Sequence, residues 1–442
     1  MSYKFNPCEL ADFARFYGFH YDNCDPETLI RDCLNDMERG LRGLPSDLPM
    51  RPSYISPGKQ ILPGKTLLAL DAGGTNLRAV LVKVDTEGKI RPGETRRAPM
   101  PGTQGRISAK AFFNKIADMV IPLLEAAGSI DGIGFCFSYS IDITEDADGI
   151  LVDCAKEVDI PEVIGKHIGA GLREALEEQG FKVSRQIVLL NDTVATLLSG
   201  LAVCSETGGS IDESIIGFIL GTGSNIAYLE KSIPKINFYS ESSPQIINTE
   251  TCNFCSRFRG YLDKDFDATT MRPGTYPQDK ACSGAYLGPF TLFALKQAVK
   301  DKVISFRRSE DILALPTLVT NDCNAFLKNP LPTGPLGSLF DQDERDALAG
   351  VLYLAQIITE RAALLSAAVV AATVERMDEG NNPFAPVRIA IEGSTYKLYK
   401  GMREAFDARL HTMLNRKKPR SYIISSLENA SLFGAAMAAL LK

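Results

Sequence analysis

The chain is poor in the residues that build metal sites. Its only histidines, His20, His167 and His411, stand apart, and the one Cys-x-x-Cys, Cys252-Asn-Phe-Cys255, has no second copy to complete four zinc ligands. A basic excess is also missing. Lys and Arg number 48 against 54 Asp and Glu, giving a net charge of −6 and a pI of about 5.4. That balance excludes a broad phosphate-binding face for DNA or RNA. The densest basic run, Arg416, Lys417, Lys418 and Arg420, reads as a solvated loop before a strand. No apolar run is long enough for a membrane span: Ala362 to Val374 is about 13 residues where roughly 20 are needed, and an Ala-rich buried helix is expected there. Met1 to Leu10 lacks a basic start followed by an apolar run, so no leader and a cytoplasmic location are expected. Ten scattered cysteines, several in apolar runs such as Cys136 in GIGFCFSYS, read as small hydrophobes of a reducing compartment rather than a disulfide framework.

What is present is a mixture of strands and crossover helices, the pattern of an α/β fold, in 442 residues that predict two domains. Residues 1–64 read as an N-terminal extension, helical over Pro26 to Arg42, with a Pro/Gly-rich crossing from Leu44 to Gly64. Strands are expected at Thr66–Leu70, Leu77–Val84, Gly132–Phe137, Gln186–Leu190, Ile215–Leu220, Ile226–Leu229 and Val387–Ile391. Helices are expected at Ala109–Ala127, Val163–Gln179 and Thr193–Cys204. One internal echo stands out. LLALDAGGTNLRAVLV at 67–82 lies on GFILGTGSNIAYLE at 217–230, pairing Gly73-Gly74-Thr75-Asn76 with Thr222-Gly223-Ser224-Asn225. Strand, tight turn, strand, twice over, fits a duplicated domain with one glycine loop from each copy.

Each loop suits a phosphate. Glycines let backbone N–H groups approach an anion, and threonine adds a hydroxyl donor. Asp71, ending a buried strand, suits Mg²⁺ held through water. A plain Gly-rich turn is the bland alternative, weakened by the second copy. Gly64-Lys65-Thr66 is not a P-loop: Gly58 is one residue too distant, and a strand follows where the motif requires a helix. In IVLLNDTVATLL, Asn191 and Asp192 end a buried strand just before a helix, where α/β enzymes hold ligands. Phosphoryl transfer to an alcohol needs a carboxylate to take the hydroxyl proton, and Asp192 fits. A helix N-cap is the competing explanation for Asp192.

Eight segments, LALDAGGTNLRAVLVKV, GFCFSYS, DGILVDCAKEVDI, NDTVATLLSG, GFILGTGSNIAYLE, INTE, SGAYLG and EGSTYKL, occur in the order and rough spacing of eukaryotic-type hexokinases and glucokinases. The chain resembles that family from about Arg51 to its C-terminus. The resemblance implies two ribonuclease-H-like domains of the actin/Hsp70-like ATPase superfamily, small and large, flanking a ligand cleft. The small domain would span 65–196 plus 430–442 and the large 197–429, with the N-terminal extension packed on the large one. It further implies ATP-dependent phosphorylation of a hexose, usually at the 6-hydroxyl, with Mg²⁺. Asp71, Gly73, Gly74, Thr75, Asn76 and Arg78 would form the first phosphate loop, and Gly221, Thr222 and Gly223 the second. Gly393, Ser394 and Thr395 would lie near the adenosine end. Ser138, Lys156, Asn191, Asp192, Asn225 and Glu250 would line the sugar pocket, with Asp192 as general base. Sugar binding is expected to close the cleft and exclude water.

The departures from the family concern the sugar shell. Pro289 stands where SGxYxGE has its carboxylate, Ala155 replaces the threonine before Lys156, SFP reads Ser138-Tyr139-Ser140, and SGxGAA is reduced to Ser431-Leu-Phe-Gly434-Ala-Ala436. Losing a carboxylate contact to a hydroxyl costs about 1.5–3 kcal/mol, roughly one to two orders of magnitude in affinity. Altered substrate preference is therefore expected rather than lost chemistry. Two rival readings remain at this level. One is a catalytically weak hexose sensor, which Pro289 and Ala155 favour. The other is an actin-like ATPase without an alcohol acceptor, which leaves the NDT segment and Lys156 unexplained.

Overall fold

The computed structural model describes the chain except for residues 1–2, 57–62, 155–157, 184–185, 207–213, 237–243, 331–332 and 442, and the side chains of 203–206. The chain opens with α1 (Pro7–Phe16), α2 (Pro26–Leu41) and the short strand β1 (Arg51–Pro52). There follow β2 (Thr66–Ala72), β3 (Asn76–Val84), β4 (Ile90–Pro92), β5 (Arg96–Pro99), α3 (Ala109–Ala127), β6 (Gly132–Phe137), β7 (Ser140–Ile143), β8 (Gly149–Asp153), α4 (Ile168–Glu178), β9 (Ile187–Leu190) and α5 (Asp192–Glu206). The next run is β10 (Ile215–Leu220), β11 (Ser224–Glu230), β12 (Gln245–Asn248), α6 (Tyr261–Thr269), α7 (Pro277–Cys282), α8 (Leu287–Lys300), α9 (Ser309–Ala314), α10 (Thr320–Lys328) and α11 (Gly334–Gly337). The chain closes with α12 (Arg345–Met377), β13 (Val387–Glu392), α13 (Ser394–Leu398), α14 (Met402–Leu414), β14 (Tyr422–Ser426) and α15 (Ala430–Leu441).

One sheet has the order β4-β3-β2-β6-β9, with β5 also paired to β3; the other runs β1-β12-β11-β10-β13-β14. In the first, β2 is antiparallel to β3 and parallel to β6, which is parallel to β9. In the second, β10 is antiparallel to β11 and parallel to β13, which is parallel to β14. Thus β3-β2-β6-β9 repeats as β11-β10-β13-β14, strand for strand and direction for direction. The internal echo in the sequence falls on the two antiparallel hairpins of this repeat. Both begin in apolar runs because β2 and β10 lie inside their sheets and are covered on both faces. The small hairpin β7–β8 stands outside both sheets.

Helices α5 and α15 pack between the two sheets. Val194, Leu197 and Leu198 of α5 and Ala435, Ala436 and Met437 of α15 share one core with Leu67, Ala69 and Leu190 of the first sheet and Ile215, Ala227 and Ala390 of the second. The helices cross so closely that a Cβ on Gly434 would lie 2.0 Å from the Ala195 carbonyl oxygen, which explains the small residues there. The Ala-rich run at 362–374 belongs to α12, a 33-residue helix long and apolar enough to cross a membrane. Its most apolar window is 94% buried within the protein, under α1, α2 and α14. Its one fully buried charge, Arg361, donates to both Asp263 oxygens at 2.9 and 2.8 Å. Helix α4 starts at Ile168 rather than at Val163. Pro161–Val163 form a 3₁₀ turn, and Gly165 at φ +80° breaks the path before His167.

Candidate active site

Asp192 is the first residue of α5, directly after β9. The cap of that helix is its neighbour: Asn191 Oδ1 accepts from the Thr193 amide at 2.9 Å, and the Asn191 carbonyl accepts from the Ala195 amide at 3.0 Å. Capping therefore does not account for the Asp192 carboxylate, which accepts from Thr193 Oγ1 at 3.4 Å. Two further carboxylates sense its charge. Burial pushes the Glu250 carboxyl up from its ordinary range, and Asp192 adds to that push against Arg51 and Asn248. Burial likewise pushes Glu392 up, with Asp192 and Asp71 adding to it against Lys397 and Arg78. Asp192 is thus close enough to both Glu250 and Glu392 for its charge to oppose their ionisation.

On the Glu250 side the polar groups form a chain. Asn225 Nδ2 donates to Asn248 Oδ1 at 2.8 Å, and Asn248 Nδ2 donates to Glu250 Oε1 at 2.7 Å. Asn225 Oδ1 is held by the amides of Ile226 at 2.8 Å and Thr251 at 3.2 Å. Glu250 itself sits in the left-handed region at φ +58°, a conformation that a non-glycine residue keeps only when its surroundings impose it. Ser138 follows β6 and is tied to the end of β2 through its amide on the Ala72 carbonyl at 3.0 Å. Lys156, with Ala155, lies outside the described residues.

The two glycine loops are each closed by their own backbone bonds. The first is closed by the Gly73 amide on the Asn76 carbonyl at 2.9 Å, leaving Thr75 and Asn76 exposed at its tip. Asp71 and Arg78 stand behind this loop rather than on it. Arg78 donates to Asp71 Oδ2 through Nε at 2.8 Å and Nη2 at 2.5 Å, and it reaches Asn429 Oδ1 at 3.1 Å and Ser431 Oγ at 2.8 Å. Arg78 thereby joins β3 to the start of α15 beside the loop. Among the described residues no three His, Cys, Asp or Glu side chains are grouped closely enough to hold a metal ion directly. The oxygens of Asp71 and Glu392 are of the kind that suits Mg²⁺ held through water.

In the second loop the Gly221 amide donates to the Gly223 carbonyl at 2.9 Å. The amides of Gly284 and Ala285 brace it through the carbonyls of Gly221 at 2.8 Å and Thr222 at 3.0 Å. Asp279 Oδ1 takes the amide and hydroxyl of Ser224 at 2.8 and 2.7 Å. Thr395 is buried, and its hydroxyl donates to the Gly221 carbonyl at 2.7 Å. It thereby braces the second loop. Gly393 has φ +125°, and a Cβ there would lie 2.2 Å from the Leu220 carbonyl oxygen, so β13 ends against the mouth of the second hairpin. Ser394 is exposed beside it.

Four residues of the site escaped the sequence reading. Glu392 precedes Gly393 at a buried strand end, as Asp71 precedes its own glycines, and that parallel was the available signal. Asn248 lies within the quoted INTE segment but was not singled out. Tyr139, whose hydroxyl meets the carbonyls of Gly73 and Gly74, was noted only as a departure from SFP, and Asp279, on α7, carried no signal. Pro289 occupies the first turn of α8, where a missing amide breaks no helical bond.

Hexokinase family models match residues 16–202 and 215–441. Hexokinase-1 of Oryza sativa subsp. japonica is 27% identical over 436 residues, covering 91% of this chain and 85% of that protein. Hexokinase-1 of Schizosaccharomyces pombe is 28% identical over 432 residues, covering 92% and 86%. The solved hexokinase from Schistosoma mansoni complexed with glucose superposes with a TM-score of 0.74 at 24% identity, covering 99% of this chain and 100% of that one. With both halves matched in order along the chain, it belongs to the hexokinase family and is a sugar kinase of that type.

Proposed function

We propose that the chain moves the γ-phosphoryl group of ATP to the 6-hydroxyl of a hexose, with Asp192 as general base. The observation that supports this is the division of labour at the start of α5: Asn191 caps the helix, while the Asp192 charge is felt by Glu250, at the end of the Asn225–Asn248 chain, and by Glu392, next to Gly393. The Asn225–Asn248–Glu250 chain and Ser138 offer donors and acceptors to sugar hydroxyls, and the free Asn191 amide group adds another. The amides of the two loops receive the phosphates. Asp192 takes the proton of the attacking hydroxyl as its oxygen bonds to the γ-phosphorus and the bond to the β-phosphate oxygen breaks, leaving a hexose phosphate and ADP. Mg²⁺, when bound with ATP, neutralises charge on the phosphates, and Asp71 and Glu392 would hold its water shell. We further propose a reducing, cytoplasmic setting, since the nine cysteines with described side chains are free.

A hexose sensor with weak turnover is the second reading, favoured by Pro289 in place of a sugar-contacting carboxylate. The deciding experiment is ADP release by purified protein with Mg²⁺-ATP against glucose, fructose, mannose, galactose, N-acetylglucosamine and no sugar. Hexose-dependent turnover supports the kinase. Calorimetric hexose binding without turnover replaces it with the sensor. Sugar-independent hydrolysis alone removes both.

A further inference from the structure

We infer that Tyr139 is a positioning residue that sets the first glycine loop for phosphate, through a hydroxyl that orients two of its peptide planes. The inference rests on the proposed reading of that loop as a phosphate cradle. Tyr139 lies in the two-residue link between β6 and β7 and is buried, its ring packed on Phe137 at 5.2 Å between centroids. Its hydroxyl lies 3.1 Å from the carbonyl oxygen of Gly73 and 3.1 Å from that of Gly74. Both carbonyls can only accept, so the phenol donates, shared between them. Burial pushes its pKa upward, which keeps the proton in place.

The consequence follows from peptide geometry. In a trans peptide the C=O and the next N–H point in opposite directions, and no cis bond occurs among the described residues. The Gly73 carbonyl shares its plane with the Gly74 amide, and the Gly74 carbonyl with the Thr75 amide. Drawing both carbonyls toward Tyr139 therefore turns both amides away from it, toward the exposed tip at Thr75 and Asn76. Neither amide donates to a backbone carbonyl among the described residues. Glycine planes otherwise rotate at little steric cost, so an unpinned loop would present these donors only part of the time. Tyr139 also adjoins Ser138, whose own amide is fixed to the Ala72 carbonyl at 3.0 Å. One short link thus joins a sugar-side candidate to the phosphate loop.

The test is Tyr139→Phe, which keeps the ring and removes the hydroxyl, compared with Thr75→Val as a loop control. Loss of one such hydrogen bond should raise KM for ATP, and the calorimetric Kd for a non-hydrolysable ATP analogue with Mg²⁺, by about three- to tenfold. KM for the hexose and the thermal midpoint should stay near wild type. A Tyr139→Phe enzyme with unchanged nucleotide affinity, or with equal rises in both KM values, overturns the inference. If Thr75→Val weakens nucleotide while Tyr139→Phe does not, this inference alone fails. If neither variant alters nucleotide binding, the phosphate-loop reading fails with it.

Discussion

Exchanging the Asp192 carboxylate for an amide removes a proton acceptor while leaving the start of α5 in place. The cap is Asn191 Oδ1 on the Thr193 amide, and the Thr196 hydroxyl donates to the Asp192 backbone carbonyl at 2.9 Å; both survive in Asp192→Asn. The helix start should therefore hold, and the change in stability should stay within the ordinary range of about 0.5–3 kcal/mol for a point substitution. Any residual effect should run toward stabilisation, because the Asp192 charge now opposes ionisation of Glu250 and Glu392. A positioned base contributes about 10²- to 10⁴-fold. At about 1.36 kcal/mol per decade, the barrier should rise by roughly 2.7–5.4 kcal/mol. The assay is steady-state ADP release with hexose and ATP each varied, beside thermal unfolding and calorimetric hexose binding. The expected result is kcat lowered by that factor, an unfolding midpoint close to wild type, and a hexose Kd within a few-fold. A kcat within threefold of wild type would refute the assignment. So would a loss of activity matched by a large fall in the unfolding midpoint, which would make Asp192 structural.

Glu392→Gln tests the cluster by pH. Burial, with Asp192 and Asp71, holds the Glu392 pKa above 4.5, so the folded state keeps a proton that the unfolded chain has released, and stability from this group falls as pH rises through that window. The variant should unfold like wild type near pH 4.5 and later than wild type at pH 7; the same gap at both values contradicts the argument. Arg272→Gln tests the contact between units. Arg272, between α6 and α7, pairs with Asp153 at the end of β8, and Arg51 on β1 pairs with Asp142 on β7, so the β7–β8 hairpin is tied twice to the second sheet's side. The Arg272 pair is half exposed, worth at most about 1 kcal/mol, so KM for hexose should rise by roughly two- to fivefold and lose part of its salt dependence. A salt response identical to wild type would show that the pair plays no part in closure.

The central strands were legible because burial on both faces writes an unbroken apolar run. Gly132–Phe137 and Ile215–Leu220 match the structure residue for residue, and β2 and β3 differ only at their ends. The hairpin β7–β8 was not legible, since its strands are short, half polar and outside both sheets. Edge strands β4 and β5 failed for the same reason: mostly exposed residues leave no alternation to read, whereas β14 was expected only as an unbounded strand after the basic run at 416–420. At the site, the sequence showed residues that carry chemistry by type and position, such as Asp192 and the glycines. It did not separate residues that face the cleft from those that brace them. Arg78 and Thr395 sit inside family motifs, yet one clamps Asp71 and the other holds the Gly221 carbonyl. That distinction depends on which side chain is spent on a neighbour, and only packing decides it.

Pro289 isolates sugar recognition from folding. It is the third residue of α8, where the amide has no helical acceptor to lose, and the following Phe290 amide still donates to the Tyr286 carbonyl at 2.8 Å. The ring also fixes a backbone angle that the helix already requires. The fold therefore tolerates proline here without compensation, and any effect on the sugar is expected through the missing carboxylate. Restoring it, Pro289→Glu, should leave the unfolding midpoint within a few degrees of wild type. It should tighten hexose binding by about 1.5–3 kcal/mol, roughly one to two orders of magnitude, if the acceptor hexose presents the hydroxyls the family's carboxylate meets. The gain should appear in the hexose KM and calorimetric Kd and much less in kcat, because the contact is made to the ground state and transition state alike. Running the sugar panel on both proteins ties the effect to chemistry. A gain confined to sugars with a free anomeric region assigns the position to that end of the pocket. An unchanged ranking and unchanged affinities would mean that this chain reads its sugar without position 289, through the Asn225–Asn248–Glu250 chain.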